Sequence, residues 1–269
     1  YCRKKESKKG NKTIYKLLEG KDNTKDQSYF LCQLNQIQLS KVLFPIGDLN
    51  KTDVRKIAKE NSLITANKKD SQGLCFVGKI KLPEFLQQKL KIKRGKIIKV
   101  APEEKVFKKS VKGEKDDDFL KSSVEKYKYT EADGEMIGYH NGAHFFTIGQ
   151  RKGLQVGGFK SPLFVIEKDM KKNIIYVGEG KNHPGLYRQG LLIKNNDINW
   201  VRPDLKISLN SSEKILARIR YRQPLKPAQI FMSQEGLYLI FDKKQKAISS
   251  GQFAAWYKGK ELIGSGIIY

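Results

Sequence analysis

The sequence predicts a mixed α/β segment followed by two small, mostly β barrel domains, and two patterns lead to this fold class. Over residues 1–78, strand-like and helix-like hydrophobic spacing alternate, whereas short strand patterns separated by turn residues dominate afterwards. The chain has 269 residues, of which 39% are hydrophobic, enough for two or three domains with real cores. We expect these domains at 1–78, 79–160 and 161–269, with a charged insertion at 102–131.

The first segment carries strand and helix patterns in turn. Thr13–Leu18 has the pattern of a short strand, and hydrophobic residues near helical spacing predict a helix over 26–42. Asn50 is the expected N-cap of a second helix that continues to about Asn61. Leu63–Ala66 predicts a further short strand.

Strand patterns fill most of the remaining chain. Pro83 is expected to open a short helix over 83–90. An Asn-Gly pair at 141–142 predicts a hairpin between Met136–His140 and Ala143–Ile148. Further strands are expected at Lys96–Val100, Leu163–Glu167, Ile174–Gly178, Leu191–Ile193, Lys214–Tyr221, Gln229–Met232, Leu237–Phe241, Phe253–Tyr257 and Glu261–Ile268.

Charge is the strongest bulk property of the sequence. Lys and Arg number 53 against 28 acidic residues, a formal net charge of +25, and such a field attracts polyanions, of which nucleic acid is the usual one. Only nine of these residues are arginine, so a codon bias toward lysine is an alternative explanation. Within 102–131 eight lysines balance eight acidic residues. This balance favours a flexible insertion and disfavours the segment as an RNA-binding surface.

Cysteine and histidine usage predicts neither a disulfide framework nor a metal site. Three cysteines are too few for such a framework in a chain of this length, so a reducing compartment is expected. The three histidines complete no ligand set, and His140 and His144 either face one ion or lie on a strand surface. No segment approaches the roughly 20 apolar residues of a membrane span, and no signal peptide is visible.

The segment around Cys75 is the best candidate for chemistry. A cysteine reacts as its thiolate, and nearby positive charge lowers the pKa of the thiol. Lys68 and Lys69 would supply that charge, and Gly73 lets the backbone turn beside the sulfur. A buried structural cysteine explains the same spacing equally well, so the residues alone leave both roles open.

Two basic stretches are candidates for phosphate binding. Arg218, Arg220 and Arg222 alternate along a predicted strand, which would place them on one face, either a phosphate-binding stripe or a solvated surface. The Gln-Arg-Lys run at 150–152 follows a strand pattern and suits phosphate binding or a turn at the end of a hairpin equally well.

Six segments of the chain resemble a known family. The run Asp70–Phe76 is similar to the sequence around the persulfide cysteine of tRNA-specific 2-thiouridylases. Five further segments agree with that family in order, namely Asn23–Phe30, Phe44–Leu49, Phe146–Leu154, Arg220–Pro224 and Ser250–Gln252. The resemblance spans nearly the whole chain except the insertion and is therefore highly specific.

The resemblance implies a fold and a reaction. Residues 1–78 would be a remnant of an adenine-nucleotide alpha-hydrolase-like domain. The family uses ATP and Mg²⁺ to adenylate the C2 oxygen of the wobble uridine; a cysteine persulfide, here on Cys75, then delivers sulfur to C2, and AMP leaves. A second cysteine of the family completes the release by forming a disulfide. Neither the family sequence around this second cysteine nor the Ser-Gly-Gly-x-Asp-Ser phosphate loop occurs in residues 1–269. Cys2 and Cys32 are therefore expected to be structural or incidental.

The resemblance also implies RNA contacts and partners. Lys25 and Asp26 match a tRNA-contacting tripeptide, Arg220 and Tyr221 match a contact in the C-terminal barrel, and Gln252 matches another. Arg pairs with phosphate, Tyr stacks or bonds to sugar, and Gln reaches a base edge. The expected partners are tRNA and a persulfide sulfur donor protein, with no membrane. The complete protein is expected to be a monomer in the cytoplasm, or in the mitochondrial matrix if it is eukaryotic.

Two functions remain open at this point. One is a tRNA 2-thiouridylase, of which this chain is an incomplete portion that is inactive alone. The alternative is a non-catalytic tRNA-binding protein derived from the same family. The full motif around Cys75 favours the enzyme, since a pure binder needs no reactive thiol. A methyltransferase has little support because no strand-linked Gly-rich cofactor loop is visible.

Overall fold

Strands dominate the computed structural model, which describes residues 1–68, 90–107 and 117–269. In chain order the strands are β1 (Cys2–Lys9), β2 (Lys12–Glu19), β3 (Gly95–Lys99), β4 (Glu135–His140), β5 (Leu163–Asp169), β6 (Ile174–Glu179), β7 (Tyr187–Lys194), β8 (Ile198–Trp200), β9 (Ser212–Arg218), β10 (Lys226–Met232), β11 (Gly236–Lys246), β12 (Phe253–Lys258) and β13 (Glu261–Ile267). The helices are α1 (Gln36–Lys41), α2 (Lys51–Glu60) and α3 (Asp117–Val124).

These elements group into two compact units. The first unit contains the described residues of Tyr1–Lys69, Gly190–Lys243 and Ser250–Tyr269, and the second those of Asp70–Gln189 and Lys244–Ser249. Within the described chain, no helix is long and apolar enough to cross a membrane.

The N-terminal hairpin is part of the larger sheet. That sheet runs in the order β1-β2-β13-β12-β9-β10-β11-β7, and β8 pairs with β13 outside this path. β2 joins β13 through the antiparallel pair Leu17↔Leu262. Both residues are buried in one hydrophobic core with Tyr257 and the α1 residue Leu39. Burial of this shared apolar face therefore holds residues from both ends of the chain together.

The smaller sheet has four strands and is covered on both faces. Its order is β4-β3-β6-β5, with β3 and β6 parallel and the other neighbours antiparallel. Successive residues of β3 point to opposite faces, so Ile97 packs in one core and Ile98 in another. β5 and β6 form an antiparallel hairpin within this sheet, so the boundary expected after residue 160 does not coincide with the end of the second unit. The three-domain division stays a prediction.

The helix predicted over 26–42 is wrong for most of its length. Only Gln36–Lys41 is α-helical, and it starts at a capping box in which Asn35 Oδ1 accepts from the Gln38 backbone N–H while Gln38 Oε1 accepts from the Asn35 N–H, both at 2.9 Å. Local side-chain capping thus sets the start of the helix rather than the apolar spacing. The helix expected after Asn50 is confirmed as α2.

Two predicted strands are absent from the described segments that should hold them. Residues 64–67 form turns instead of the strand expected at Leu63–Ala66. Ala143–Phe145 is a short 3₁₀ helix rather than the second arm of a hairpin. There the backbone N–H of Ala143 donates to the side chain of Asn173 at 3.0 Å, and β4 pairs with β3 instead. The helix expected at 83–90 lies outside the described residues, apart from Leu90, which is not helical.

The described parts of the segment 102–131 contribute to the fold of the second unit. α3 buries Leu120, and Phe107 and Tyr129 pack against the core that contains Ile98 and Tyr176. The Tyr129 and Tyr176 rings are stacked with centroids 5.2 Å apart. The expectation of a flexible insertion is therefore wrong for these residues, because their aromatic side chains cover one face of the smaller sheet.

Candidate nucleic-acid interface

A loop at residues 22–30, here called the motif loop, folds around one buried carboxylate. Asp26 is 3% exposed. Its Oδ1 accepts from the backbone N–H groups of Gly20 and Ser28, both at 3.1 Å, and its Oδ2 accepts from Ser28 Oγ at 2.8 Å. These bonds replace helical ones at this point of the chain, which explains why the predicted helix does not start here.

Arg218 connects the motif loop to the end of β9. Its Nη2 donates to Asp26 Oδ2 at 3.0 Å and to Glu19, and its guanidinium lies 4.6 Å from the centroid of the Tyr257 ring. Burial acts to lower the pKa of Arg218, but Tyr257, Asp26 and Glu19 outweigh it and leave that pKa raised. Arg218 therefore stays charged within a buried cluster.

The expected stripe of three arginines on one strand face is wrong. β9 ends at Arg218, whose side chain is 6% exposed. Arg220 lies in a bend and is half-buried, whereas Arg222 is exposed in a turn with φ of 64°. The alternation that the sequence predicted needs extended backbone, and the chain leaves the extended conformation after Arg218.

Tyr221 joins the motif loop to the Arg220–Pro224 segment. Gln27 Nε2 donates to the Tyr221 hydroxyl at 2.8 Å. The Phe30 ring lies 4.4 Å from the Tyr221 ring, centroid to centroid, and Phe30 is 60% exposed. Two aromatic rings are thus held together at the surface of the first unit, an arrangement typical of base-stacking platforms.

Gln252 lies beside the same cluster. The Tyr29 hydroxyl shares its single proton between the carbonyl of Phe253, the residue after Gln252, at 2.9 Å and that of Ile219 at 3.2 Å. Gln252 is half-buried, and its Oε1 is a buried acceptor without a hydrogen-bond partner in the structure. A ligand donor such as an exocyclic amine would satisfy it.

The structure brings together most of the residues that the sequence predicted for RNA binding. Lys25, Arg220, Tyr221 and Gln252 are partly accessible, whereas the Asp26 carboxylate faces inward. Sequence reasoning missed the side chains that hold these residues in place, namely Gln27, Ser28, Tyr29, Phe30 and Arg218. Gln27 to Phe30 lie within the family segment Asn23–Phe30, and membership of that segment was the sequence signal that could have identified them.

The two cysteines that the structure describes have no features of a reactive site. Cys2 and Cys32 are free and buried. Burial raises the pKa of the Cys2 thiol to about 12 and also raises that of Cys32. Both are poor nucleophiles near neutral pH, which supports the structural role expected for them. Cys75, the predicted persulfide carrier, lies outside the described residues.

Two other candidates have local structural partners in the second unit. His140 is 5% exposed, and its Nδ1 accepts from the Gly142 backbone N–H at 2.9 Å. Gln150 accepts from the Thr147 N–H at 3.0 Å and donates to the Lys152 carbonyl at 2.8 Å, so its side chain closes a turn. No cluster of three or more potential metal ligands occurs within the described ranges.

Three family models match successive segments of the chain. Residues 1–79 match the tRNA methyl transferase HUP domain, 117–179 the tRNA methyl transferase PRC-barrel domain, and 189–268 the Aminomethyltransferase beta-barrel domain. Together with the strand-rich structure, these matches confirm the predicted fold class, an α/β segment followed by two mostly β domains.

Curated relatives align along the full chain. A protein named tRNA-specific 2-thiouridylase MnmA from Christiangramia forsetii is 55% identical over 269 residues, covering 100% of this chain and 68% of the relative. Proteins of the same name from Flavobacterium johnsoniae and Karelsulcia muelleri are 51% and 49% identical, again with 68% of each relative covered.

Proposed function

The chain belongs to the tRNA-specific 2-thiouridylase family, and from this premise we propose that it carries the tRNA-binding and sulfur-delivering part of a tRNA sulfurtransferase. The observation that carries the proposal is the convergence of three family segments on one surface of the first unit. These segments are the motif loop, Arg220–Pro224 and Ser250–Gln252, joined by the Gln27–Tyr221 hydrogen bond and the Tyr29–Phe253 hydrogen bond.

The chemistry of this surface suits a folded RNA with an accessible nucleotide. Arg220 and Lys25 supply positive charge for phosphates, and the Phe30–Tyr221 pair supplies an aromatic face for a base. Gln252 supplies an acceptor for a base edge. Asp26 acts as a positioning residue, since its carboxylate is engaged by Gly20, Ser28 and Arg218.

Cys75 would carry the transferred sulfur. In the proposed step the outer sulfur of its persulfide bonds to C2 of the activated uridine, and the C2 oxygen leaves with its activating group. The thiolate of a second cysteine then attacks the Cys75 sulfur, and the bond to the transferred sulfur breaks as a Cys–Cys disulfide forms. The Ser-Gly-Gly-x-Asp-Ser phosphate-loop sequence does not occur in residues 1–269. No activation step is therefore assigned to them.

The direct test is tRNA binding by the chain with Arg220 replaced. Arg220→Ala should weaken the affinity for tRNA by about five- to tenfold, since it removes a charge-assisted contact worth about 1–1.4 kcal/mol. Fluorescence anisotropy with labelled tRNA measures the change. Arg55→Ala, which removes an exposed arginine on α2 of the same unit, is the matched control and should leave affinity within about twofold.

A second variant separates stacking from phosphate binding. Phe30→Ala alone should weaken tRNA binding by about fivefold relative to the wild type, because it removes the exposed ring of the aromatic pair. Equal affinities of the wild type, Arg220→Ala and Phe30→Ala chains would refute this surface as the tRNA-binding site.

A further inference from the structure

The second unit contains a cavity that the proposed function does not use. Its volume is about 360 Å³, within the range of small-molecule sites. It is lined mainly by the end of α3 and the residues after it, together with the start of β7. The lining residues are Val106, Ser122, Ser123, Glu125, Lys126, Tyr127, Lys128, Tyr187, Arg188, Gln189 and Lys244.

Four of the five charged residues in the cavity lining are cationic. Lys126, Lys128, Arg188 and Lys244 contribute positive charge, against the single carboxylate of Glu125. Arg188 is held in place by two backbone carbonyls, because its Nη1 donates to Val124 at 3.3 Å and its Nη2 to Ile248 at 2.7 Å. A guanidinium has five N–H donors, so this anchored group retains donors for an anion.

A buried hydroxyl of the lining also lacks a partner. Ser123 is 3% exposed, and its Oγ makes no hydrogen bond in the structure. Burying a hydroxyl without a hydrogen-bond partner is unfavourable, and a ligand oxygen would supply that partner. Neighbouring Ser122 differs, because its Oγ donates to the Phe119 carbonyl at 3.0 Å.

Tyr127 gives the cavity an apolar wall. Its ring is in edge contact with Phe107, with centroids 4.9 Å apart, so it is fixed by packing. The cavity combines an anchored guanidinium, three lysines, an unpartnered hydroxyl and an aromatic wall. This combination matches a ligand that has both an anionic group with several oxygens and a flat ring.

We propose that this cavity binds a phosphorylated small molecule of about the size of one nucleotide, with its phosphate between Ser123, Arg188 and the lysines and its ring on Tyr127. Phosphate fits better than carboxylate because it offers more acceptor oxygens and more charge to four cationic side chains. Such a nucleotide comes either free from solution or as one residue of an RNA chain.

The test is a calorimetric titration of the full chain with uridine monophosphate. Saturable binding is expected, and Ser123→Ala, Lys128→Ala and Lys244→Ala should each weaken it about fivefold or more. Lys172→Ala, which removes an exposed lysine of the same unit outside the cavity lining, should change it by less than about twofold. Circular dichroism of each variant checks that the fold is retained.

Competition with unlabelled tRNA identifies the source of the nucleotide. Displacement of uridine monophosphate assigns the site to an RNA residue, and retention assigns it to a free nucleotide. Ser123, Lys128 and Lys244 lie in the second unit, outside the surface proposed for tRNA, so their effect on uridine monophosphate binding is independent of that surface. Absence of saturable binding up to about 10 mM, or equal binding by the wild type and all three cavity variants, would overturn the proposal.

Discussion

Asp26 and Arg218 form a buried ion pair that orders the motif loop. The Arg218 guanidinium forms ion pairs with two carboxylates, those of Asp26 and Glu19. The side chains of Arg218 and Asp26 are only 6% and 3% exposed. Burial is the main cause of the raised pKa of Glu19, although Arg218 opposes it. Because removing one member of a buried pair leaves an uncompensated charge, this cluster is expected to be less tolerant of substitution than Arg220 or Arg222.

At the residue scale, the three cysteines should differ in reactivity. Cys75 should be alkylated by iodoacetamide near pH 7.5, whereas Cys2 and Cys32 should remain unmodified, because burial raises the pKa of both thiols. Mass spectrometry of the digested native chain measures the modified fraction at each site. Denaturing the chain before alkylation is the control and should modify all three.

Slower modification of Cys75 than of Cys32 would contradict its assignment as the sulfur carrier. Its motif would then describe a structural cysteine, the alternative that spacing alone left open. The proposed tRNA-binding surface would still be tested separately by Arg220→Ala and Phe30→Ala.

At the element scale, side-chain hydrogen bonds decided where helices begin. α1 begins after Asn35, whose capping box with Gln38 is local in sequence. The N-terminus of α2 is held by a more distant residue as well, since Asp22 Oδ2 accepts from the Lys51 N–H at 3.0 Å. The Asn35–Gln38 capping box could be predicted from the sequence because its residues are three positions apart. The bond from Lys51 to Asp22 depends on the folded position of the motif loop.

His183 links three elements of the second unit as a neutral ring. Its Nδ1 accepts from the Gly185 N–H at 3.2 Å, so its Nε2 carries the proton and donates to the Val100 carbonyl at 3.0 Å. A Cβ on Gly178 of β6 would lie 2.4 Å from this ring. Burial lowers the pKa of His183, and burial likewise lowers that of His140.

This geometry predicts that acid destabilises the second unit. Above the unfolded-state pKa of about 6.5, histidine is neutral in both states; below it the unfolded chain binds protons that the folded chain does not, so the free energy of unfolding falls. Urea denaturation, monitored by tyrosine fluorescence, should give a lower free energy of unfolding at about pH 5.5 than at about pH 8. His183→Gln should reduce this difference, and a wild-type value independent of pH over that interval would contradict the neutral tautomer.

At the scale of the whole molecule, the few arginines and the many lysines have different roles. Arg202 pairs with Asp204 and Glu261, Arg218 with Glu19 and Asp26, and Arg188 binds two carbonyls. These arginines are fixed by the fold, in keeping with the rigid fork of the guanidinium. Lysines are most of the 53 basic residues and so supply most of the net charge of +25, a field of the kind that attracts polyanions.

The affinity for tRNA should consequently depend steeply on salt. Each phosphate neutralised releases counterions, which contributes about −0.9 to the slope of log affinity against log salt concentration in a duplex. Anisotropy titrations across salt concentrations measure the slope for the wild type and for Arg220→Ala, and the variant should have a slope shallower by roughly one such contribution. Affinity independent of salt would mean that the charge reflects composition alone.

Local sequence patterns were enough to predict the family, the fold class, most of the β strands and the positions of the motifs proposed to contact RNA. Those features depend on local patterns, namely alternating hydrophobicity, turn residues and short motifs in fixed order. It misplaced the start of α1 and the strands expected at Leu63–Ala66 and Ala143–Ile148, where side-chain hydrogen bonds or turns replace the pattern.

Which residues contact one another across the chain followed from the fold and not from local sequence patterns. The pairing of β2 with β13, the ion pair of Asp26 with Arg218 and the hydrogen bond of Gln27 with Tyr221 all link residues more than 190 positions apart. Such contacts form because a shared apolar core and buried charges must be satisfied by whichever side chains the fold brings near. No local pattern records that requirement, so the candidate site was predictable as a set of residues but not as a surface.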